Sequence, residues 1–122
     1  MGEIYCDREK DHQASARRAK EGVLSSSDVE KICKTFQLLS DPGRLKIVLA
    51  LMQGEMCVYH LVEACGGTQS GISHQLRILR DNGIVRCKRM GKHIEYAIAD
   101  EHVYEIVNTG RRHLQCSVEV EE

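Results

Sequence analysis

The hydrophobic pattern changes from a helical to a strand period at Asn82-Gly83, and this change limits the possible folds more than any other feature. Before it, apolar residues recur at three- and four-residue spacing in short segments, as in amphipathic helices. After it, Ile94, Tyr96 and Ile98 alternate with polar residues, which predicts a strand. Residues 84–89 and a turn around 90–92 complete a predicted β-hairpin. The expected fold is mainly α with one small β-hairpin.

Cap and turn residues divide the helical part into several short helices. Ser27 and Glu30 fit a capping box at the start of a helix over residues 28–39. Pro42 suits the first position of a second helix. A third helix is predicted over residues 58–64.

Two further helices have clear start signals. Gly66-Gly67 forms a turn, and either Thr68 or Ser70 caps the next helix, which ends at Asn82-Gly83. Asp100 caps the last helix. The apolar residues expected to face the core are Val29, Ile32, Cys33, Phe36 and Leu39, then Leu45, Val48, Leu49 and Met52, then Ile72, Leu76 and Leu79, and finally Val103, Ile106, Val107 and Leu114.

The short helix, the Gly-Gly turn and the polar-faced helix after it predict a helix-turn-helix, and the hairpin makes it a winged helix. A recognition helix needs small polar side chains near its start to reach base edges in the major groove. The hairpin adds cations suited to phosphate or the minor groove. The candidate DNA-binding residues are Thr68, Gln69, Ser70, Ser73, His74 and Arg77 in the helix, with Arg86, Lys88, Arg89 and Lys92 in the wing.

The charge distribution supports a local anion-binding surface, although the net charge is only -1. Residues 68–96 hold six Lys or Arg against two Asp or Glu, a balance of +4, whereas residues 97–122 hold two against six, a balance of -4. No stretch of 18 apolar residues and no secretory signal is found, so we expect a cytoplasmic protein without a membrane partner. A disulfide framework is then not expected, and Cys33 and Cys65 are predicted as small core residues.

A single helix-turn-helix rarely makes enough contacts for specificity, so a homodimer on two half-sites of double-stranded operator DNA is expected. The last helix lies outside the predicted DNA-binding unit and is the natural dimer element. Gly110 in its interior favours close approach of two helices at a two-fold axis. The expected organisation is an N-terminal arm or frayed helix over 1–22, a DNA-binding and dimerisation domain over 23–116, and an acidic tail over 117–122.

Four segments between Leu38 and Leu114 carry a family resemblance: LLSDPGRLKIVLAL, GEMCVYHL, GISHQLRILRDNGIV and RMGKHIEYAIADEHV. They resemble the ArsR/SmtB family of metal-responsive winged-helix repressors, and the third segment is highly specific. The resemblance implies that a metal-free dimer represses transcription and that bound metal relieves repression.

The last helix carries a first candidate metal site, formed by Asp100, His102, His113 and Cys116. His102 and His113 share a helix face within about 20°, and Cys116 follows one turn later. The two histidines are about 16 Å apart along the axis, so one metal ion cannot bind both histidines of the same chain. Two helices crossed antiparallel at a dimer axis would form two four-ligand sites, suited to Zn(II). The family more often has Glu or His where Cys116 stands. The thiolate of Cys116 is a softer ligand than either, so the site also admits Cd(II) or Co(II).

A second candidate site starts from Cys57 and His60, at C-x₂-H spacing. The resemblance places Cys57 on the first Cys of a family motif such as ELCVCDL, while Tyr59 replaces the second Cys. It also implies that further ligands come from the N-terminal arm of the other protomer, where Cys6 and His12 are candidates.

Other interpretations remain at this stage. Asp100 could serve only as a helix cap, the histidines could be ordinary exposed residues, and Cys116 an incidental tail cysteine. No nucleophile elbow, HExxH motif or phosphate loop supports an enzyme. The main alternative is a thiol- or persulfide-sensing repressor of the same fold, but Leu49 stands where related sensors have their first cysteine. A structural DNA-binding protein without an inducer is a third class, against which the many cysteines and histidines speak.

Overall fold

The computed structural model describes the backbone of residues 9–120 and the side chains of residues 11–116. The predictions for Cys6 and for the acidic side chains of residues 117–122 therefore lie outside the described residues. The chain forms two compact units, one up to Lys34 and one from Thr35 onwards.

Two helices contribute to the first unit. Helix α1 covers Glu9–Gly22, within the segment predicted as an arm or frayed helix. Helix α2 covers Ser26–Leu39 and continues into the second unit. The Ser25 hydroxyl accepts the N–H of Asp28 at 3.2 Å, so the first turn is capped two residues earlier than the predicted capping box.

The second unit contains the remaining helices and a small sheet. Its elements are α3 (Pro42–Leu51), β1 (Met56–Cys57), α4 (Val58–Cys65), α5 (Gln69–Asp81), β2 (Val85–Met90), β3 (His93–Ile98) and α6 (Glu101–Val120). The predicted hairpin is β2–β3, with Val85 opposite Ile98 and Met90 opposite His93. Gly91 has a φ of 64° in the two-residue connection, which suits glycine. Strand β1 was not predicted; it pairs antiparallel with β3 and makes the sheet order β1-β3-β2.

Local caps fix where the helices of the second unit begin. The Asp41 carboxylate accepts the N–H of Arg44 at 3.0 Å, and Pro42 occupies the first turn of α3, as predicted. Thr68, rather than Ser70, caps α5, because its hydroxyl accepts the N–H of Gly71 at 3.0 Å. Gly66 and Gly67 both have positive φ, which lets the chain turn sharply between α4 and α5.

One apolar core holds the second unit together. Its centre is Ile47, Val48, Leu51, Leu61, Leu76 and Leu79, each at most 1% exposed. The predicted faces of α5 and the N-terminal half of α6 are confirmed, since Ile72, Leu76, Leu79, Val103 and Val107 are buried. Among the described residues, no charged or polar side chain is buried, so directional contacts lie around the core rather than in it.

Three core predictions were only partly right: Leu39 and Val48 are buried as predicted, but other predicted residues of α2, α3 and α6 are not fully buried. On α2 only Leu38 and Leu39 are buried, while Val29, Ile32, Cys33 and Phe36 are exposed. On α3 Ile47 and Leu51 take the centre of the core, and Leu45, Leu49 and Met52 are only half-buried. On α6 Ile106 and Leu114 are exposed. Helical spacing identified apolar faces, but it cannot tell a face that meets the core from one left for another surface.

Candidate functional site

Helix α5 presents its polar face to solvent. Its apolar residues Ile72, Leu76 and Leu79 are buried in the core, so the opposite face must point outwards. All six candidate side chains on this element are exposed: Thr68, Gln69, Ser70, Ser73, His74 and Arg77. Thr68 Oγ1 and Ser70 Oγ lie 3.4 Å apart at the first turn. The helix therefore offers small hydroxyl and amide groups at its N-terminal end, as a major-groove helix requires.

The hairpin presents its cations to solvent as well. Arg86, Lys88, Arg89 and Lys92 are all exposed. Lys88 Nζ lies 3.9 Å from Glu55 Oε1, a carboxylate that no sequence motif singles out. Both side chains are about half exposed, so this ion pair is weak. Lys88 is thus the one wing cation of these four with an ion-pair partner among the described residues.

A contact between Arg80 and Cys87 joins α5 to the wing. Arg80 Nη1 donates to Cys87 Sγ at 3.9 Å, from the last turn of α5 to strand β2. The hydrogen bond to Cys87 is the main reason why the pKa of Arg80 is raised above its ordinary value. This exposed contact connects α5 to the wing, and sequence reasoning missed it because the two residues are not at a ligand or cap spacing.

Asp100 and His102 lie together at the start of α6. Asp100 Oδ1 accepts the N–H of His102 at 2.9 Å and that of Val103 at 3.3 Å, so Asp100 caps the helix as predicted. The same oxygen lies 3.4 Å from His102 Nδ1. Asp100 can therefore be both a helix cap and a candidate metal ligand. Its Oδ1 accepts the cap hydrogen bonds, its Oδ2 has no part in them, and the His102 imidazole lies beside the same carboxylate.

His113 and Cys116 form a separate pair further along α6. Both side chains are exposed, and His113 follows His102 by 11 residues, which corresponds to about 16 Å along a helix axis. No group of three or more His, Cys, Asp or Glu side chains that could hold a metal exists within the described part of the chain. One chain thus carries two separate pairs of candidate ligands, and a four-ligand site on α6 would need a second copy.

Cys57 and His60 are in direct contact, with 3.6 Å between Cys57 Sγ and His60 Nδ1. Cys57 ends strand β1 and is the residue immediately before α4. His60, three residues later, therefore lies on the first turn of α4, on the same side as Cys57. Cys57 lines a cavity of about 240 Å³ together with Ser73 of α5 and Lys92 of the wing. This pair is therefore next to two of the candidate DNA-binding residues. Of the two further ligands predicted for this site, Cys6 lies outside the described residues, and His12 lies on α1 in the first unit.

The other cysteines have distinct environments. Cys65 is half-buried against the core, as predicted, and burial raises the pKa of its thiol, while nearby Lys46 partly offsets this effect. Its thiolate is therefore disfavoured, which suits a packing role. Cys33 and Cys116 are exposed.

An apolar groove of about 390 Å³ runs between α6, the C-terminal end of α2 and the middle of α3. Phe36 is 53% exposed and Leu114 68% exposed, although both are large and apolar. Gly110 lies in the groove, and a Cβ added there would meet nothing within 4 Å. The groove is lined by Phe36, Leu39, Leu45, Leu49, Ile106, Val107, Gly110, Arg111 and Leu114.

Comparison with known proteins identifies the family. Residues 41–86 match the family described as bacterial regulatory protein, arsR family. A transcriptional repressor SmtB homolog of Synechocystis sp. is 36% identical over 110 residues, which are 90% of this chain and 83% of that protein. The chain belongs to the ArsR family of bacterial regulatory proteins. A cadmium resistance transcriptional regulatory protein CadC homolog of Staphylococcus aureus is 31% identical over 114 residues, 93% of either chain.

A solved structure agrees with this assignment. The crystal structure of the AntR antimony-specific transcriptional repressor matches with a TM-score of 0.72 and 28% identity, over 80% of this chain and 88% of that one. The predicted winged helix and family resemblance are thus confirmed, and the family consists of DNA-binding regulators rather than enzymes. Within the described residues of this ArsR-family chain, no helix is long and apolar enough to span a bilayer.

Proposed function

We propose that this chain is a metal-responsive repressor whose metal-free homodimer binds operator DNA and releases it when Zn(II) binds. The observation that carries the proposal is the division of the α6 ligands into two exposed pairs on a helix whose apolar face is uncovered. That arrangement makes sense when a second copy covers the face and completes the site.

The DNA-binding half of the proposal rests on exposure and charge. All ten candidate side chains on α5 and the wing are accessible, and they lie on two elements that pack against each other. We assign base contacts to Ser73 and His74, because they are polar, exposed and close to the N-terminal end of α5. Arg77, Arg86, Lys88, Arg89 and Lys92 supply phosphate contacts, which dominate affinity and make it salt-dependent.

The homodimer follows from the apolar groove beside α6. Ile106 and Leu114 are too large and too apolar to face water without a reason, and they adjoin Gly110, where a second backbone could approach closely. An antiparallel crossing of two α6 helices near Gly110 brings Asp100 and His102 of one protomer towards His113 and Cys116 of the other. The dimer then presents two recognition helices to the two half-sites of a palindrome.

The donor set fits a borderline metal. One carboxylate, two imidazoles and one thiolate are ligands of tetrahedral Zn(II), and the thiolate also admits Cd(II) or Co(II). Bound metal would supply a link between protomers that favours one relative orientation of the two recognition helices. Asp100 is already fixed by its cap bonds, and His102 lies beside it, so this half-site is partly preorganised. The regulator would act in the cytoplasm, where its DNA is.

We assign the Cys57–His60 pair an accessory role, with Cys6 and His12 as its further ligands. The pair is formed within one chain, but it offers only two donors, so Cys6 and His12 must be brought to it to complete a four-ligand site. Two thiolates and two imidazoles form a softer donor set than that of the α6 site, and such a set binds Zn(II) as well as softer ions such as Cd(II).

The test is titration of the purified, reduced dimer while its release from operator DNA is followed by fluorescence anisotropy. Zn(II), Cd(II) and Co(II) form three arms, and inorganic polysulfide forms a fourth. Release by Zn(II) at stoichiometric concentration supports the proposal. Release by polysulfide, reversed by dithiothreitol and not produced by any metal, would instead establish the thiol-sensing alternative.

A further inference from the structure

Arg44 makes contacts that no DNA-binding or metal-binding role explains. It lies on the first turn of α3, and its side chain is half-buried. Its Nε donates to the carbonyl of Leu38 at 3.0 Å, and its Nη1 donates to Gln75 Oε1 at 3.2 Å. One guanidinium therefore connects the end of α2, the start of α3 and the middle of the recognition helix α5.

The contact to Leu38 answers a need of the backbone. Carbonyls in the last turn of a helix have no partner within the helix. The Arg44 guanidinium supplies a charged donor there, and the backbone N–H of Arg44 donates to the Asp41 carboxylate at 3.0 Å. Arg44 is thus held both at its backbone N–H and at its guanidinium Nε, in addition to the bond that its Nη1 makes to α5.

The contact to Gln75 gives α5 something that its core contacts do not. Ile72, Leu76 and Leu79 bury α5 through apolar contacts, which are non-directional. A planar guanidinium holds its acceptors in a fixed geometry, so it defines the rotation of α5 as well as its distance. Gln75 directly follows Ser73 and His74 in the chain, and it lines a cleft of about 420 Å³ with Thr68 and Gly71 of the first turn.

We propose that Arg44 is a positioning residue for operator recognition, which sets the rotation of α5 through Gln75 without contacting DNA itself. This inference rests on the proposed function, since it concerns how the recognition helix is presented. It predicts that specificity, rather than overall attraction to DNA, depends on Arg44. A rotation of α5 moves the small side chains away from base edges but leaves the four cations of the wing near phosphates.

The test compares Arg44→Gln and Gln75→Ala with the wild-type protein on two duplexes, one selected by the wild type from a random pool and one unselected. Each variant should lose about tenfold or more in affinity for the selected duplex and stay within about twofold on the unselected one. The dependence of affinity on salt should change little, because the four phosphate contacts assigned to the wing are kept. Arg44→Lys keeps the charge but not the planar fork, so it should behave like Arg44→Gln.

Lys46→Gln is the matched control for charge, because Lys46 is an exposed cation on the same helix. If it contacts phosphate, both duplexes lose affinity equally and the salt dependence becomes weaker. The same pattern for Arg44→Gln, with recovery in Arg44→Lys, would show that Arg44 acts as a cation on DNA and would overturn the proposal. Unchanged binding by both Arg44→Gln and Gln75→Ala would overturn it as well.

A double-mutant cycle tests whether the two residues act as one unit. The double variant Arg44→Gln/Gln75→Ala should bind the selected duplex with the same affinity as the weaker-binding single variant. Independent roles would instead make the two losses of binding free energy additive. Additive losses contradict the proposal. Gln75→Ala keeps the test valid if Arg44→Gln fails to fold, since alanine is a good helix former.

Amide hydrogen exchange on the DNA-free protein separates this inference from the proposed function. Loss of the Arg44–Gln75 contact should speed exchange in α5 more than in α4, whatever the protein binds. If the wild type prefers no duplex in the pool, the proposed function fails. If exchange in α5 is the same in wild type, Arg44→Gln and Gln75→Ala, the positioning role fails, even where operator binding is intact.

Discussion

The two candidate metal sites differ in how much of each is formed within one chain. Cys57 and His60 are 3.6 Å apart and belong to the same turn. On α6 the Asp100–His102 pair and the His113–Cys116 pair lie about 16 Å apart along the helix, as their 11-residue spacing requires. Cys57 is half-buried near the recognition helix, whereas all four α6 residues are exposed.

This difference indicates which site can regulate. At the second site the Cys57–His60 contact forms within one chain whatever the arrangement of the dimer, and its proposed partners, Cys6 and His12, come from the N-terminal arm rather than from α6. Metal bound there therefore has less means of fixing the relative orientation of two α6 helices. A site divided between protomers binds metal only where the two halves meet, and by linkage its occupancy favours that quaternary state. We therefore expect the divided site to control DNA release.

The largest expected effect comes from His113→Ala. This variant should bind operator DNA as the wild type does but should no longer release it when Zn(II) is added. Loss of the coupling corresponds to about 1–3 kcal/mol, or roughly 5–150-fold in operator affinity. Anisotropy titrations with and without Zn(II) measure it.

Cys57→Ser is the matched variant at the other site, and it should still release DNA with Zn(II). If Cys57→Ser abolishes the zinc response while His113→Ala retains it, the two roles are reversed. Any release that Cd(II) still causes in His113→Ala would be attributed to the Cys57–His60 pair, and Cys57→Ser in that background should remove it.

Gly110→Leu should weaken the dimer and, with it, the divided site. A Cβ at this position meets nothing within 4 Å in the single chain, so the fold of the protomer should tolerate the change. The added side chain would instead separate the two α6 helices. Sedimentation velocity at micromolar concentration should show a shift towards monomer, while Gly110→Ala tests the smallest increase in size.

A wild-type protein that is monomeric at micromolar concentration would contradict the intersubunit geometry altogether. A dimer that Gly110→Leu leaves intact would place the interface elsewhere on the apolar surface. In either case the Cys57–His60 pair would become the stronger candidate for the sensor.

Ser73→Ala and His74→Ala should reduce the preference for operator over unselected DNA, each by about 1–3 kcal/mol if it contacts a base edge. Competition binding with both duplexes at several salt concentrations is the measurement. If each variant discriminates as well as the wild type, direct readout by these side chains is refuted.

The wing should show smaller and less specific effects. Lys88→Ala should weaken binding to all duplexes and reduce the salt dependence, because a phosphate contact is lost. Glu55→Gln should raise affinity slightly, since it frees Lys88 from an exposed pair worth about 0.2–1 kcal/mol. An unchanged affinity in both variants would show that Lys88 does not face DNA.

Several local features of this protein were predictable because they depend on near neighbours in the chain. The cap at Asp100, the β2–β3 hairpin and the buried face of α5 follow from cap chemistry and hydrophobic period. The contact between Cys57 and His60 follows from three-residue spacing at a helix start. These features require no knowledge of the rest of the fold.

The tertiary structure alone decided the contacts between distant segments. Strand β1, the Lys88–Glu55 pair, the Arg80–Cys87 contact and the Arg44–Gln75 bond join residues whose sequence spacing has no regular meaning. The same is true of which apolar faces are covered: the pattern on α2 and α6 marks them as apolar, but Phe36 and Leu114 remain exposed. Hydrophobic spacing records that a face avoids water, whereas the surface that covers it is set by the packing of the whole fold and its partners.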